Sequence, residues 1–239
     1  MNRRVFVTGA SAGIGCALTK LLVEKGDIVW GIARRENDMA SLQQELPRGR
    51  FFYNRCDITN SEQINQTKRL LQEHLFIPEV AVLNAGVNHP DLIPEYDHQQ
   101  YNSVFSTNLF GAMVWVDYFL PLFRKQGKGQ FIAISSLSAF LTHSRGAAYS
   151  ASKAALTMTF ESLQKRYGSQ NILFKTIHLG PVRTAMGPSN FPFLVSDKAV
   201  ALKVIKTMEQ KKTVVDFPAW IVGMARFSQM IPFGRNLFR

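Results

Sequence analysis

Tyr149 and Lys153 are four residues apart in a segment, 148–166, whose apolar residues recur with helical periodicity. At that spacing the two side chains project from one face of a helix. A free phenol has a pKa near 10, about three units too high for proton transfer at neutral pH, and a neighbouring ammonium lowers it. The pair therefore indicates an acid/base catalyst, although tyrosine and lysine also share helix faces that carry no chemistry.

Ser136 directly follows a short apolar run, 130–135, that is typical of a buried strand. Ligands of open α/β sheets bind beyond the carboxyl ends of the strands, so its hydroxyl is placed to hold a substrate carbonyl beside Tyr149. A serine that caps a helix is the ordinary alternative. His143 lies between these two residues but has no acidic neighbour in sequence to orient it, and we do not expect it to act as the base.

A glycine-rich loop links the first apolar run, 4–7, to a helical pattern. Glycine lets the backbone turn tightly and approach a pyrophosphate, and the helix N-terminus offers unpaired N–H groups to that anion. The spacing differs from the commoner G-x-G-x-x-G, and a tight turn without a ligand would also need glycine. In this strand–loop–helix context we expect dinucleotide binding by Gly9, Ser11, Gly13, Ile14 and Gly15.

Two arginines, Arg34 and Arg35, follow the second apolar run, 28–33. A dinucleotide-binding unit that uses NAD(H) carries an acidic residue near this point, which binds the ribose 2′-hydroxyl. A guanidinium instead matches the 2′-phosphate of NADP(H). The two residues therefore favour NADP(H) as the cofactor, with NAD(H) as the second choice. Two solvated arginines without a ligand are the alternative.

Short apolar runs alternate with helical patterns along the 239 residues. This alternation implies βαβ crossovers, and runs that are apolar at nearly every position suit strands covered on both faces. We therefore predict an α/β fold with a doubly wound parallel sheet of about seven strands and helices on both faces. One domain would span 1–212, and 213–239 would add a last strand and a tail. The predicted strands are 4–7, 28–33, 50–53, 80–83, 130–135, 173–179 and 213–215.

The composition excludes several other classes of protein. The net charge of +11 comes from scattered lysines and arginines, without the basic and aromatic run of a nucleic-acid module. No apolar run reaches the roughly 18 residues of a membrane span, and the chain enters a strand-like run without a signal peptide. Cys16 and Cys56 have no metal-ligand or disulfide spacing, and we expect both to be buried. The sequence thus predicts a cytoplasmic protein that binds neither nucleic acid nor metal.

Taken together, these residues resemble the short-chain dehydrogenase/reductase family, in its single-domain branch with a Rossmann-type fold. The resemblance covers residues 3 to about 186, and Ser136 precedes Tyr149 by thirteen residues, the family's usual separation. The motifs that match are Thr8-Gly9-x-x-x-Gly13-x-Gly15, Cys56-Asp57-Ile58, Asn84-Ala85-Gly86, Asn108-x-x-Gly111, Ser136, Tyr149-x-x-x-Lys153 and Gly180-Pro181-Val182-x-Thr184.

The resemblance implies a role for each matching residue. Tyr149 would transfer the proton, and Lys153 would hold the nicotinamide ribose and lower the pKa of Tyr149. Ser136 would position the carbonyl, and Asn108 would hold a water that relays protons. The remaining cofactor contacts would be Asp57 and Ile58 at the adenine, Asn84, Ala85 and Gly86 along the cofactor, and Pro181, Val182 and Thr184, the last at the nicotinamide carboxamide.

These features predict an NADP(H)-dependent oxidoreductase that moves a hydride between the nicotinamide and a ketone or secondary alcohol. In the family, the segment after Thr184 covers the substrate, and here 185–196 is rich in apolar residues. That segment favours an apolar substrate, although its side chains could equally pack on the body of the protein. The alternative function is a dinucleotide-sensing regulatory or binding protein on the same fold, but a sensor need not keep all four catalytic residues.

Two segments predict contacts beyond the single domain. The first, 108–123, is unusually apolar for an outer helix, and in the family it pairs across a two-fold axis with 148–166, so we expect a homodimer or homotetramer. The tail, 217–239, fits a helix that docks on its own domain or on a partner, which we favour, and also a helix that contacts a membrane peripherally. Docking predicts that four of its apolar side chains are largely covered, namely Trp220, Met224, Phe227 and Ile231.

Overall fold

The computed structural model describes residues 2–88, 97–141, 146–183 and 193–230. Within them a seven-stranded sheet forms, in which every pairing is parallel, and two short strands pair separately. From one edge to the other, the sheet contains β3 (Phe51–Arg55), β2 (Ile28–Ala33), β1 (Arg4–Thr8), β4 (Val80–Leu83), β5 (Gly129–Ser136), β6 (Ile172–Leu179) and β9 (Val214–Phe217), and the separate pair is β7 (Val182–Arg183) with β8 (Val195–Ser196).

Eight α-helices lie in the described part of the chain. Several begin at a residue whose side chain accepts a backbone N–H of the first turn, as Asn60, Asp97 and Ser196 do. The helices are α1 (Gly13–Glu24), α2 (Glu36–Glu45), α3 (Ser61–Glu73), α4 (His98–Phe105), α5 (Gly111–Gln126), α6 (Ala147–Tyr167), α7 (Asp197–Met208) and α8 (Ala219–Met230).

The sheet is buried on both faces by two separate clusters of apolar side chains. On β1, Val5 and Val7 belong to the first core cluster, which is formed with α1, α2 and α7. Phe6 between them belongs to the second core cluster, which is formed with α3, α5 and α6. Successive side chains of a strand point to opposite faces, so both faces of β1 need apolar residues. The predicted fold class, a Rossmann-type parallel sheet with helices on both sides, is confirmed.

The order of the strands places a crevice at the carboxyl ends of β1 and β4. The chain moves outward from β1 to β2 and β3, then returns to the other side of β1 to form β4 and the strands after it. Loops that leave β1 and β4 therefore diverge to opposite faces of the sheet, and open α/β folds bind ligands at this point. The loops after Thr8 and Leu83, together with the end of β5 at Ser136, border the crevice.

Two expectations from the sequence need correction. The apolar side chains of α5 do not require a partner chain, because Trp115, Val116 and Phe119 are buried in the second cluster of this same chain. Cys56 is buried as expected, but Cys16 is partly exposed. Burial raises the pKa of both thiols, which keeps them protonated at neutral pH.

The predicted burial of the tail's apolar stripe is also wrong. Trp220, Met224 and Phe227 are 52%, 48% and 63% exposed. The helix α8 instead packs on the protein through the opposite face, where Ile221, Val222 and Ala225 are buried. Ile231 lies outside the described residues.

Candidate active site

The loop after β1 has glycine at positions where a side chain would collide with backbone. Gly9 and Gly13 have φ values of 72° and 52°, in the left-handed region. A Cβ on Gly15 would lie 2.1 Å from the carbonyl oxygen of Gly9. The helix α1 then begins with Ala12 as N-cap, without a side-chain cap, and the Ile14 side chain packs on the first core cluster. The backbone N–H groups of the first turn are thus left for an anion.

Thr8 and Asn84 fix this loop to the end of β4. The Thr8 hydroxyl oxygen accepts the backbone N–H groups of Asn84 and Ala85, each at 3.0 Å. The Asn84 side-chain amide donates in turn to the Thr8 carbonyl oxygen at 3.1 Å. No role was assigned to Thr8 from the sequence, although its position directly before Gly9 was the available signal.

Arg35 lies over the glycine loop. Its Nε and Nη2 atoms both donate to the Ser11 hydroxyl oxygen at 3.3 Å. The same Nε is 3.1 Å from a carboxylate oxygen of Asp38, in an ion pair between two exposed side chains. Solvent-exposed pairs of this kind are weak and exchange readily. The Arg35 guanidinium therefore reaches the edge of the loop. Asp38, which the sequence motifs did not indicate, competes with a bound anion for this guanidinium. Arg34 is also exposed.

Asp57 and Ile58 are held by contacts within the protein. The Asp57 Oδ1 atom accepts hydrogen bonds from the Thr59 backbone N–H and hydroxyl, at 2.9 and 2.7 Å. The Ile58 side chain is buried against Gly111, where a Cβ would lie 2.6 Å from Ile58 Cδ1. A contact between Ile58 and an adenine would therefore have to come from its backbone rather than from its side chain.

Asn108 lies in a π-helical turn, Ser106–Phe110, between α4 and α5. Such turns inside helices are frequent at functional sites. Its side chain exchanges two hydrogen bonds with the backbone of Val87, at 2.8 and 2.9 Å, and donates to the Ser152 hydroxyl at 3.0 Å. Ser152 donates at 2.7 Å to the Tyr149 carbonyl oxygen. Asn108 therefore joins the loop after β4 to α6, and its Oδ1 keeps a second lone pair that a water can use.

Lys153 is buried between α6 and the sheet. Its ammonium donates to the Ile134 carbonyl oxygen of β5 at 2.9 Å and lies 5.8 Å from the centroid of the Tyr149 ring. A Cβ on Gly86 would be 3.4 Å from this nitrogen, so glycine keeps that approach open. Burial lowers the pKa of Lys153 to about 8. An ammonium has three donors, so donors remain beyond the bond to Ile134.

Tyr149 and Ser136 are joined by a side-chain hydrogen bond. Burial raises the pKa of Tyr149 above its usual range, and the hydrogen bond with Ser136 offsets this only in part. Burial therefore dominates the pKa of Tyr149, and the lowering of that pKa by Lys153 stays a prediction. The Ser136 hydroxyl oxygen also accepts the Ser138 backbone N–H at 3.1 Å, which fixes its orientation.

The segment expected to cover the substrate, 185–196, is described only from residue 193 onward, together with the residues that precede it up to 183. Val182 is buried in the first core cluster, and the Pro181 carbonyl oxygen accepts the Val195 backbone N–H at 3.0 Å, so β7 and β8 hold the ends of the segment together. Thr184, His143 and residues 185–192 lie outside the described residues.

The residues at the carboxyl ends of β1, β4 and β5 fit a nicotinamide dinucleotide. The glycine cradle at α1 suits a pyrophosphate, and Gly86 leaves open the approach to Lys153, whose remaining donors suit a ribose hydroxyl. The hydrogen-bonded hydroxyls of Tyr149 and Ser136 can both bind one carbonyl oxygen. The glycine loop after β1, the Lys153 ammonium on α6 and the hydroxyls of Tyr149 and Ser136 thus border one crevice.

Comparison with known proteins points to one family. The family model described as short chain dehydrogenase matches residues 3–193. An uncharacterized oxidoreductase from Staphylococcus haemolyticus is 29% identical over 187 residues, which are 78% of this chain and 81% of the relative. A second, from Staphylococcus aureus, is 28% identical over 180 residues, or 75% and 78% of the two chains.

Solved structures share the fold. A short-chain dehydrogenase from Streptomyces avermitilis superposes with a TM-score of 0.86 at 24% identity, covering 96% of this chain and 92% of its own. An alcohol dehydrogenase from Thermococcus sibiricus, complexed with 5-hydroxy-NADP, gives a TM-score of 0.80 at 20% identity, covering 90% and 95%. A bulky-bulky ketone specific alcohol dehydrogenase from Comamonas testosteroni gives 0.81 at 19%, covering 95% and 93%.

Proposed function

The chain belongs to the short-chain dehydrogenase family and is an oxidoreductase, and from that premise we propose that it reduces a ketone, reversibly, with NADP(H). The observation that carries the proposal is the meeting of Tyr149, Ser136 and Lys153 beside a glycine cradle. When bound, the dinucleotide supplies the hydride that the carbonyl carbon accepts and, once oxidised, a positive charge near the tyrosine.

Tyr149 is the proton donor in this proposal. Because burial raises its pKa, the phenol is protonated at neutral pH, and the neutral phenol is the form that carbonyl reduction requires. Ser136 donates to the same carbonyl oxygen and fixes its position next to the Tyr149 hydroxyl. Tyr149 thereby protonates the carbonyl oxygen, and the product of the complete reduction would be the secondary alcohol.

Lys153 and Asn108 hold this arrangement in place. Lys153 offers its unused donors to the ribose hydroxyls, and its bond to the Ile134 carbonyl fixes the ammonium near the ring of Tyr149. Asn108 restrains α6 through Ser152, which in turn bonds the carbonyl of Tyr149 itself. The remaining lone pair on Asn108 Oδ1 is where a water that returns the proton to Tyr149 would bind.

The experiment that tests the proposed function is NADPH consumption against paired ketones that differ only in the length of one alkyl chain. The apolar residues at the described end of the covering segment, Phe193 and Leu194, support an apolar substrate. Each added methylene that is buried should raise kcat/KM about threefold to fourfold, from roughly 0.8 kcal/mol of transfer free energy. Consumption with none of the ketones would contradict the proposal.

Preference for NADP(H) rests on Arg35, which reaches the glycine loop through Ser11. We expect Arg35→Gln to weaken NADPH binding about tenfold or more, because a charge-assisted hydrogen bond to the 2′-phosphate is lost. NADH, which has no such phosphate, should change by less than about twofold. Titration of the cofactor's fluorescence at low and high salt measures both affinities.

Asp38→Asn is the matched variant, because it frees the Arg35 guanidinium from its ion pair. It should tighten NADPH binding and leave NADH unchanged. Equal affinities of the wild-type chain for the two cofactors, or an Arg35→Gln variant that keeps the preference, would show that Arg35 does not bind a 2′-phosphate.

Assembly into a homodimer or homotetramer is proposed through α5 and α6, the helices that the family resemblance pairs across a two-fold axis. Phe110, at the start of α5, and Met158, on α6, are large apolar side chains exposed in the single chain. Light scattering should give two or four times 26.9 kDa for the wild-type chain, and Met158→Glu should shift the mass toward the monomer. A wild-type monomer at micromolar concentration would contradict this assembly.

A further inference from the structure

The helix α8 has apolar residues on two faces, and only one of them contacts the protein. Ile221, Val222 and Ala225 are buried, whereas Trp220, Met224 and Phe227 are about half exposed or more. The exposed three are spaced i, i+4 and i+7, which places them in one stripe along the helix. The stripe therefore faces outward from a helix whose other side is already packed.

A fourth apolar side chain extends this stripe. The Phe193 ring lies 5.3 Å from the Trp220 ring in an edge-to-face arrangement, and Phe193 is itself exposed. A Cβ on Gly223, one turn along α8 from Trp220, would have no neighbouring atom within 4 Å, so among the described residues this side of the helix is open at that position. We call Phe193, Trp220, Met224 and Phe227 the Trp220 patch.

Contacts on the opposite side hold α8 in a fixed orientation. Arg226 donates to the Asp216 carboxylate of β9 at 3.1 Å, and its guanidinium carbon lies 4.3 Å from the centroid of the Phe140 ring. The Asp216 carboxylate also lies 2.9 Å from the buried His178 ring on β6. The Trp220 patch is therefore presented by an anchored helix.

In the sequence, the charged residues of the tail are all of one sign. From residue 217 to residue 239 the sequence contains Arg226, Arg235 and Arg239 and neither aspartate nor glutamate, in a chain of net charge +11. Aromatic and apolar residues on one face of a helix, accompanied by arginines, are the pattern of helices that lie in a bilayer interface. No helix in the described part of the chain is long and apolar enough to cross a membrane.

We propose that the Trp220 patch binds the surface of an anionic lipid bilayer. Trp220, Met224 and Phe227 insert at the boundary between headgroups and acyl chains, and the net charge of +11 on the chain attracts the anionic headgroups. A second copy of the chain is the less suitable occupant, because the assembly proposed above uses α5 and α6 instead of α8. The proposal does not depend on the oxidoreductase activity, so either can fail without the other.

Trp220 itself reports the binding. The chain has three tryptophans, and the other two, Trp30 and Trp115, are buried in the core. A shift of the emission to shorter wavelength on adding vesicles, and quenching by lipids brominated on their acyl chains, would therefore come from Trp220. We expect both with vesicles of phosphatidylglycerol and phosphatidylcholine, and much weaker changes with phosphatidylcholine alone or at high salt.

Co-sedimentation of the full chain with these vesicles gives the quantitative test. Met224→Ser/Phe227→Ser removes two inserting side chains but keeps Trp220 as the reporter, and it should weaken partitioning about tenfold or more. Leu75→Ser/Ile77→Ser is the matched control, because these exposed residues precede β4 at the amino ends of the strands, whereas α8 follows the carboxyl end of β9. The control should bind within about twofold of wild type, since the inserted area is unchanged.

Three results would overturn the proposal. The first is a wild-type chain that neither sediments with anionic vesicles nor shifts its Trp220 emission. The second is equal binding by the Met224→Ser/Phe227→Ser variant, shown to be folded by an unchanged melting temperature. The third is a wild-type chain that does not bind vesicles, combined with a Met224→Ser/Phe227→Ser variant whose mass in light scattering is lower than that of the wild-type chain. That result would assign the patch to a second copy.

Discussion

Tyr149→Phe reduces turnover to background with every accepted substrate and leaves dinucleotide affinity nearly unchanged. The substitution keeps the ring that lies near the Lys153 ammonium but removes the hydroxyl that is hydrogen-bonded to Ser136. Loss of a positioned general acid costs about 10²–10⁴-fold in rate, and we expect the upper part of that range because the site holds no second phenol in the described residues. Steady-state turnover and cofactor fluorescence measure the two effects separately.

Tyr167→Phe is the control, because it removes a phenolic hydroxyl from the other end of the same helix. Tyr167 packs against Phe174 with ring centroids 6.0 Å apart, far along α6 from the crevice. The turnover of the Tyr167→Phe variant should equal that of the wild-type chain. Near-normal turnover by Tyr149→Phe with any substrate would remove Tyr149 from the chemistry.

Gly15→Ala abolishes measurable dinucleotide binding at concentrations that saturate the wild-type chain. The new methyl would lie 2.1 Å from the Gly9 carbonyl oxygen and 2.8 Å from the Asn84 amide nitrogen. Because one of these contacts is with backbone, the loop must move away from α1, and the cradle opens. Overpacking of this kind costs about 1–3 kcal/mol of folding free energy, and the affinity should fall at least tenfold.

Gly223→Ala on α8 controls for the loss of glycine alone. A Cβ at Gly223 meets nothing within 4 Å, and alanine is favoured over glycine within a helix. This variant should bind the dinucleotide as the wild-type chain does, with unchanged or slightly higher stability. Wild-type affinity in Gly15→Ala would mean that the ligand does not bind against this loop.

The strands were predictable because a parallel sheet covered on both faces requires apolar residues at nearly every position. Val80–Leu83 and Ile28–Ala33 are continuous apolar runs, and the structure gives them the predicted bounds. The short pair β7 and β8 was not predicted, because two residues in each strand carry no periodicity. The burial of Trp115 was misjudged for a related reason, since composition alone does not say which side of a helix faces its own core.

Within the candidate site, spacing predicted which residues would meet but not their electrostatics. As expected for one helix face, the Lys153 ammonium lies near the Tyr149 ring, and the Tyr149 hydroxyl is hydrogen-bonded to Ser136. The spacing predicted neither the hydrogen bond from the Lys153 ammonium to a strand carbonyl nor the burial that raises the pKa of Tyr149. The pairing of Arg35 with Asp38 was likewise missed, because an ion pair one helical turn apart depends on where the helix begins.

In the tail, too, the sequence pattern did not show which contacts the residues make. The sequence predicted one apolar stripe that had to be covered, whereas α8 divides its apolar residues between a packed face and an open one. Arg226 contacts Asp216 of β9, an interaction that is compatible only with the orientation of the helix in which Ile221 and Val222 are buried. Residues 178, 216 and 226 meet only in three dimensions, so no local pattern could have indicated the contact.

Deuterium transfer is the most direct test of the proposed chemistry. The chain is incubated with a panel of apolar ketones and NADPH deuterated at the transferable position of nicotinamide C4, and the alcohols are examined by mass spectrometry. We expect one deuterium on the carbinol carbon per turnover, none at that carbon when the label is in the solvent instead, and no product with Tyr149→Phe. Tight binding of NADPH without deuterium in any product would contradict an oxidoreductase acting on these ketones and would favour a dinucleotide-sensing protein.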